Sequence, residues 1–83
     1  MNDVLLQNIH RLHTTALGAG RIRKNLGLTV ADEVAWCRDR ISDPRAQIVR
    51  RGKNWYVTLD GCVITVNASS YTIITAHRLS SPN

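Results

Sequence analysis

The spacing of apolar residues changes near the middle of the chain, from a helical period to a strand-like one. In the first segment apolar residues recur at helical spacing, at Leu5, Ile9, Leu12 and Ala16. This spacing predicts a helix from about Asp3 to His13, with Asn2 or Asp3 near its N-cap.

A second helix is predicted after a break at Thr14 and Thr15, either of which can cap it. Over residues 16–28 the candidate buried positions are Leu17, Ile22 and Leu26. Gly27 is a suitable residue to end this helix, because glycine readily adopts the left-handed conformation that closes many helices.

A third helix is predicted to start at Thr29, with Asp32 and Glu33 in its first turn, where carboxylates complement the helix dipole. Its apolar stripe consists of Val30, Val34, Cys37 and Ile41. Asp43-Pro44 ends it, since the residue before a proline avoids helical geometry.

The second half of the chain alternates apolar and polar residues between regular turn signals. Gly52-Lys53 and Asp60-Gly61 are candidate two-residue hairpin turns, and residues 67–70 form a third turn. The predicted strands cover about 46–51, 54–59, 62–67 and 71–78. We therefore expect one α+β domain over residues 1–83, with two to three N-terminal helices packed on one face of a four-stranded antiparallel meander.

Hairpin register divides the predicted sheet into two faces. The apolar face, expected to pack on the helices, holds Ile48, Trp55, Val57, Leu59, Cys62, Ile64 and Val66. The opposite face is polar and partly basic, and holds Arg51, Tyr56, Thr58, Thr65 and Asn67, with Val49 and Val63 between them.

The last strand has two possible parities. One directs Tyr71, Thr75 and His77 to the polar face and Thr72, Ile74 and Ala76 to the core; the other reverses them. We favour the first, because a one-sided sheet buries Ile74 and Ala76 more readily than His77. This choice leaves Ile73 on the outer face.

Charge adds a preference for an anionic partner. The chain of 83 residues carries a formal net charge of +5. Residues 1–43 hold six basic and five acidic residues (+1), whereas residues 44–83 hold five basic and one acidic residue (+4). A basic cluster on a sheet suits RNA or another polyanion first and an acidic protein second, although the charge can equally serve solubility alone.

No membrane, cofactor or metal is predicted. The chain lacks an apolar run of about 18 residues and its start has no signal-peptide pattern, so we expect a cytoplasmic protein.

Cys37 and Cys62 are expected to be buried thiols rather than a disulfide. His10 and His13 have metal-ligand spacing but no acidic or thiol partner; His13 is a candidate to approach the sheet and join a site.

The string Tyr-Thr-Ile-Ile-Thr-Ala-His-Arg at residues 71–78 carries the most suggestive chemistry. Metal-independent RNA cleavage needs an acid and a base, and histidine titrates near neutrality, so His77 is the candidate for either role. The hydroxyls of Tyr56, Tyr71, Thr65 and Thr75 are candidates to orient the scissile phosphate. The alternative is that these residues are ordinary strand formers and that His77 is merely solvated.

Candidate phosphate-binding residues lie in two groups, since arginine binds phosphate in a bidentate manner. In the predicted strands and the first hairpin turn they are Arg50, Arg51, Lys53 and Arg78. On the second predicted helix they are Arg21, Arg23 and Lys24. Tyr56, beside Arg51, is the candidate for stacking on a base.

Several strings, NIHRLHTTALGAGRIRKNLGL, VAWCRDRI, GKNWYV and CVITVNASSYTIITAHR, resemble a small bacterial family known as domain of unknown function 3781. The likeness covers roughly residues 5–78. That family has no established activity.

The order of elements, with hydroxyl, His and Arg side chains on the last strands, is similar to the barnase–EndoU–colicin–RelE ribonucleases, which include many toxins. The resemblance implies a metal-independent, toxin-type ribonuclease. The sequence lacks the catalytic sheet Glu of barnase and the leading strand of RelE-type toxins. Two alternatives stay open: a non-catalytic module that binds nucleic acid or protein, and a small inhibitor or adaptor from a mobile element. Exposed sheet edges allow a monomer or a homodimer.

Overall fold

A computed structural model of the chain describes residues 4–79. Its helical elements are α1 (Val4–Gln7), a 3-10 turn (Ile9–Arg11), α2 (Ala16–Leu26) and α3 (Glu33–Ile41). Its strands are β1 (Gln47–Arg51), β2 (Asn54–Leu59), β3 (Cys62–Asn67) and β4 (Ile73–Arg78). The strands form one antiparallel sheet in the order β1-β2-β3-β4, so the predicted α+β meander is confirmed. None of the helices in this part of the chain is long and apolar enough to cross a membrane.

The predicted first helix is interrupted after Gln7. Asn8 donates its side-chain amide to the Val4 carbonyl at 3.0 Å, and a 3-10 turn follows. The chain then leaves the helix, because the backbone of His13 pairs with Thr72, immediately before β4. This pairing outweighs the helical spacing of Leu12. The predicted N-cap at Asn2 or Asp3 lies outside the described residues.

Helix α2 starts and ends where the sequence indicates. The Thr15 hydroxyl accepts from the Gly18 amide at 3.0 Å, and Gly27 closes the helix with φ 64°. Ile22 and Leu26 are buried, but Leu17 is 65% exposed, so its predicted burial is wrong. Gly18, the next residue, is buried against the sheet instead.

Helix α3 starts later than predicted. Asp32 is its N-cap and accepts from the Ala35 amide at 3.0 Å, so the predicted cap at Thr29 is wrong. Cys37 and Ile41 are buried. A carboxylate accepts the orphan amide and also complements the positive end of the helix dipole, which favours Asp32 over Thr29.

Local turn chemistry fixes the register of the first three strands as predicted. Asp60 and Gly61 both have positive φ, 51° and 76°, which is the geometry of the tightest hairpin turn and one that glycine adopts without strain. Leu59 consequently pairs with Cys62. The inner face of the sheet joins the helices in one core through Trp55, Val57, Ile64, Val66, Ile73 and Ala76, which pack with Leu5, Leu12, Ile22, Leu26, Cys37 and Ile41.

Strand β4 contains an irregularity that changes its parity. Thr75 pairs with Thr65, but Ile73 pairs with Val66, so Ile74 is an extra residue in the ladder. Ile73 and Ala76 are therefore both buried, whereas either uniform parity exposes one of them. The predicted outward placement holds for Thr75 and His77 and is wrong for Tyr71, which is 5% exposed.

Candidate functional site

The face of the sheet opposite the core, called the outer face here, keeps its side chains at least partly open to solvent except for Thr65. Its members follow from the strand pairing and are Gln47, Val49, Arg51, Asn54, Tyr56, Thr58, Val63, Thr65, Asn67, Thr75 and His77. None of these residues is acidic. The outer face is therefore a polar surface of neutral and basic groups.

A row of hydroxyl groups crosses the middle of the outer face. Tyr56 pairs with Thr65, and Thr65 pairs with Thr75. Asn25 of α2 reaches over the β4 edge, and its side-chain amide lies 3.4 Å from the Thr75 hydroxyl and 3.3 Å from the Ala76 carbonyl. The sheet thus brings together three of the hydroxyl residues that the sequence indicates.

A second polar row, called the turn-end row, lies beside the Gly52-Lys53 turn. Across β1 to β3 it consists of Arg51, Asn54 and Asn67, which are cross-strand partners. The Arg51 guanidinium lies 5.9 Å from the centre of the Tyr56 ring. Arg51 therefore lies beside Tyr56, as predicted.

At the β4 edge the turn-end row continues into a cluster of three side chains, the edge cluster, formed by His13, Thr72 and Ser70. His13 Nε2 lies 3.0 Å from the Thr72 hydroxyl, and the hydroxyls of Thr72 and Ser70 are 2.7 Å apart. His13 Nδ1 lies 2.9 Å from the Arg11 carbonyl. His13 thus lies against the edge of the sheet, and its approach to the sheet agrees with the sequence analysis.

His77 stands apart from the other candidate residues. It is exposed and pairs across the ladder with Val63, and its side chain makes no hydrogen bond to another residue within 4–79. Arg51 lies three strands away and four ladder positions along, a separation of roughly 20 Å from strand geometry. His77 and Arg51 therefore do not act on one phosphate.

Tyr71 does not lie on the outer face either. Its ring packs in the core, 5.3 Å from the Trp55 ring between centroids, and the Arg11 guanidinium covers it at 4.3 Å. The physical reason is the extra residue in β4, which reverses the side assignments before Ile74.

The predicted basic residues divide between several surfaces. Arg51 lies on the outer face and Lys53 is exposed in the adjoining turn, whereas Arg50 and Arg78 point to the opposite side of the sheet. Arg50 donates to the Gly52 carbonyl at 2.9 Å, and Arg78 donates to the Leu26 carbonyl at 3.1 Å.

On α2, Arg21 and Lys24 are exposed, but Arg23 is engaged by Glu33. The hydrogen bond from Arg23 holds the pKa of Glu33 below its ordinary value. The charge of Arg23 is therefore largely neutralised, while Arg21 and Lys24 remain available to an anion.

The carboxylate of the sheet lies at the end opposite the turn-end row. Asp60, in the β2–β3 turn, is 3.2 Å from Arg40 and 3.6 Å from Arg45. At the other end, Ala68 donates its amide to the Lys53 carbonyl at 2.9 Å, which joins the first and third turns. Within residues 4–79, neither Arg51 nor Lys53 forms an ion pair, so positive charge is uncompensated by these residues beside the turn-end row.

The thiols differ in environment. Cys37 is buried, and this burial raises its pKa to about 12, so it is a packing residue rather than a nucleophile. Cys62 is partly exposed. Within residues 4–79 no three His, Cys, Asp or Glu side chains come close enough to hold a metal ion.

A cleft of about 260 Å³ lies at the Asp60 end, away from the outer face, and is lined by Leu26, Leu28, Trp36, Arg40, Asp60, Cys62 and Arg78. His77 does not line it.

The site residues that sequence reasoning missed are Asn25, Ser70 and Thr72. Asn25 and Thr72 are placed by contacts with residues 50 and 59 positions away, which no local pattern indicates, whereas Ser70 contacts Asn67 and Thr72, both within three positions. The sequence indicated Ser70 only as part of the predicted turn at residues 67–70.

Comparison with known proteins adds a family but no activity. No curated protein and no solved structure matches the chain. A family model does match, over residues 6–77. The chain belongs to the family described as protein of unknown function (DUF3781).

Proposed function

We propose that the outer face binds single-stranded nucleic acid, with RNA as the first candidate. The observation that carries this proposal is the turn-end row and its neighbours: Arg51 lies beside the partly exposed ring of Tyr56, Lys53 is exposed in the adjoining turn, and none of the outer-face residues within 4–79 is acidic. Cations that meet phosphates and an aromatic ring that stacks on a base are the two elements of single-strand binding.

The face also offers hydrogen-bonding groups suited to base edges and sugar hydroxyls. Asn54 lies within 3.5 Å of the Tyr56 hydroxyl, and the partly exposed Thr75 lies two strands further along the same row, beyond the buried Thr65. A flat sheet admits an unstacked strand more readily than a duplex, whose base edges lie within grooves.

The test is the affinity of the full chain for a fluorescent single-stranded RNA, measured by anisotropy. Arg51→Ala should weaken binding about three- to tenfold through loss of a phosphate contact. Arg50→Ala is the matched control, because it removes the same charge from the adjacent residue on the opposite face. Equal losses in both variants would show that only net charge matters, and would contradict the proposal.

A second pair of variants tests stacking. Tyr56→Ala should weaken binding by about 1–3 kcal/mol, whereas Tyr56→Phe keeps the ring and should bind nearly as the parent does. If the wild-type protein fails to bind single-stranded RNA at low salt, the proposed function is wrong.

Cleavage of the bound RNA is the second candidate function. It is favoured by the oriented imidazole of His13, whose Nε2 faces a hydroxyl as a general base requires. Electrophoresis of RNA after incubation with the protein distinguishes the two functions. Intact RNA supports binding alone. Cleavage that is lost in His77→Ala but kept in His13→Ala would restore the role expected for His77.

A further inference from the structure

We propose that Ser70 is a nucleophile, activated by His13 through Thr72, and that it accepts a phosphoryl group from an anionic phosphate ester. The proposal concerns the edge cluster alone and does not depend on RNA binding. It rests on the direction of the hydrogen bonds, on the rigidity of the backbone that holds them and on the charge around Ser70.

The direction of the hydrogen bonds follows from the Arg11 carbonyl. A carbonyl only accepts, so His13 Nδ1, at 2.9 Å, carries the ring proton. In the neutral imidazole Nε2 is then an acceptor, and the Thr72 hydroxyl donates to it at 3.0 Å. The Thr72 oxygen keeps lone pairs free to accept from Ser70 at 2.7 Å.

Among the side chains of residues 4–79, two acceptors lie within reach of the Ser70 hydroxyl, Asn67 Oδ1 and the Thr72 oxygen. Asn67 Oδ1 lies 3.2 Å away, but it already accepts from the amides of Ser69 and Ser70, both at 2.9 Å. These two bonds use the lone pairs of a side-chain carbonyl. The Ser70 hydroxyl therefore donates to Thr72, and the chain of bonds runs from Ser70 to Thr72 to His13.

The backbone holds the cluster in place on both sides. His13 donates its amide to the Tyr71 carbonyl at 3.3 Å, and the Ile73 amide donates to the His13 carbonyl at 2.7 Å. The Thr14 hydroxyl donates to the Ile73 carbonyl at 2.8 Å. Positioning by main-chain bonds is what a reacting side chain needs.

Tyr71, between Ser70 and Thr72, has φ 63°. A non-glycine residue in this region is strained, and such strain is concentrated at functional sites. The buried ring of Tyr71 anchors the backbone there, between the two residues whose hydroxyls are in contact.

Charge selects an anionic substrate. Residues 61–79 contain no Asp or Glu, and the Arg11 guanidinium lies 4.3 Å above the Tyr71 ring. Lys53 is attached to the same turn through its carbonyl. Because Asp and Glu are absent from this segment and its neighbouring charged residues are cations, which stabilise phosphoryl groups, we assign a phosphate ester rather than a neutral acyl ester as the substrate class.

The chemical step is balanced as follows. Ser70 Oγ forms a bond to phosphorus, while the bond from phosphorus to the leaving oxygen breaks and its electron pair departs with that oxygen. The Ser70 proton passes to the Thr72 oxygen, and the Thr72 proton passes to His13 Nε2. The resulting imidazolium can return a proton to the leaving group.

The experiment treats the full chain with a fluorophosphonate probe and locates the adduct by tandem mass spectrometry. Ser69 is an internal control, because it is exposed, adjacent and outside the hydrogen-bond chain. Ser70 should react about 100-fold faster than Ser69, the scale of general-base assistance. Equal modification of the two serines would overturn the proposal.

Variants test the relay itself. Thr72→Val keeps the shape of the side chain but removes its hydroxyl, and should reduce Ser70 labelling to the rate of Ser69; Thr72→Ser should restore it. Unchanged labelling in Thr72→Val would show that no relay operates. Circular dichroism of each variant confirms that β4 has kept its fold.

Substrate class is tested with two chromogenic esters. p-Nitrophenyl phosphate should leave a phosphorylated Ser70 and release p-nitrophenolate, whereas p-nitrophenyl acetate should react more slowly. Faster acylation than phosphorylation would contradict the assignment of a phosphoryl acceptor. RNA affinity is measured separately in Ser70→Ala, so failure of this proposal and failure of RNA binding are distinguishable.

Discussion

Among single residues, Tyr71 shows how burial can hold a backbone in an unfavourable conformation. Its φ of 63° costs on the order of 1–3 kcal/mol for a residue with a side chain. Contact with Trp55 and burial of the ring offset that cost. The ring is therefore a structural anchor for the segment that carries Ser70 and Thr72.

Truncation of the Tyr71 side chain should strongly destabilise the folded protein. We expect Tyr71→Ala to lower the free energy of unfolding by about 3–5 kcal/mol, the usual cost of removing a buried aromatic ring. Tyr71→Phe should change it little, because the Tyr71 hydroxyl makes no hydrogen bond within residues 4–79. Urea denaturation measures both. A large loss of RNA affinity in Tyr71→Phe would revive the catalytic role that the sequence suggested for this hydroxyl.

His13 and its partners show which contacts of a single residue can be predicted from the sequence and which cannot. Its approach to the sheet could be anticipated, because His13 ends the predicted first helix, next to the Thr14-Thr15 break. Thr72 and Ser70 could not be identified as its partners, since their contact depends on the pairing of backbone segments 59 residues apart. His77 looked equally suitable by type, but the ladder places it on the far row of the face.

Among the elements, hairpins were predictable and β4 was not. The turn at Asp60-Gly61 carries its own conformational preference, so it fixes the pairing of β2 with β3 without help from distant residues. The parity of β4 depends on one extra residue, which is favoured only because both Ile73 and Ala76 then reach the core. The predicted length of the first helix was wrong for a similar reason, since the backbone pairing of His13 with Thr72, just before β4, outweighs local periodicity.

The packing of α2 on β4 depends on the absence of a side chain at Gly18. A Cβ there would lie 2.3 Å from the Thr14 hydroxyl and 3.3 Å from the Ile73 carbonyl. Gly20, on the same helix, has nothing within 4 Å of the corresponding position. The two glycines are therefore a matched pair that separates helix propensity from close packing.

We expect Gly18→Ala to destabilise the protein by about 1–3 kcal/mol, because Thr14 must release the Ile73 carbonyl in a buried setting. Gly20→Ala should stabilise it by about 0.5–1 kcal/mol through helix propensity. Thermal unfolding followed by circular dichroism gives both values. Stabilisation by both substitutions would show that α2 does not approach β4 closely at Gly18.

For the whole molecule, the distribution of charge matters more than its sum. The carboxylates of Asp43 and Asp60 are both within ion-pair distance of Arg45, near the end of α3 and the β2–β3 turn. The hydrogen bond from Arg45 lowers the pKa of Asp43. Residues Arg51 and Lys53 have no such partner within 4–79, so the excess positive charge faces the turn-end row.

This asymmetry predicts the salt dependence of RNA binding. If Arg51 and Lys53 each neutralise one phosphate, the logarithm of the binding constant should fall with the logarithm of salt concentration at a slope of about −1.4. Arg51→Ala should make the slope shallower by about 0.7, the value for one phosphate of a single strand. Anisotropy titrations at several potassium chloride concentrations measure the slope. An unchanged slope in Arg51→Ala would place the RNA elsewhere.

The extra residue at Ile74 makes the length of β4 as important to the edge cluster as its composition. A chain that lacked one residue here would turn Tyr71 and Ile73 outward and carry Thr72 away from His13, even if every other amino acid were identical. In related sequences, a single-residue gap at this position would therefore separate members that have the edge cluster from members that have lost it. Alignments that score only the identity of aligned residues would group the two together.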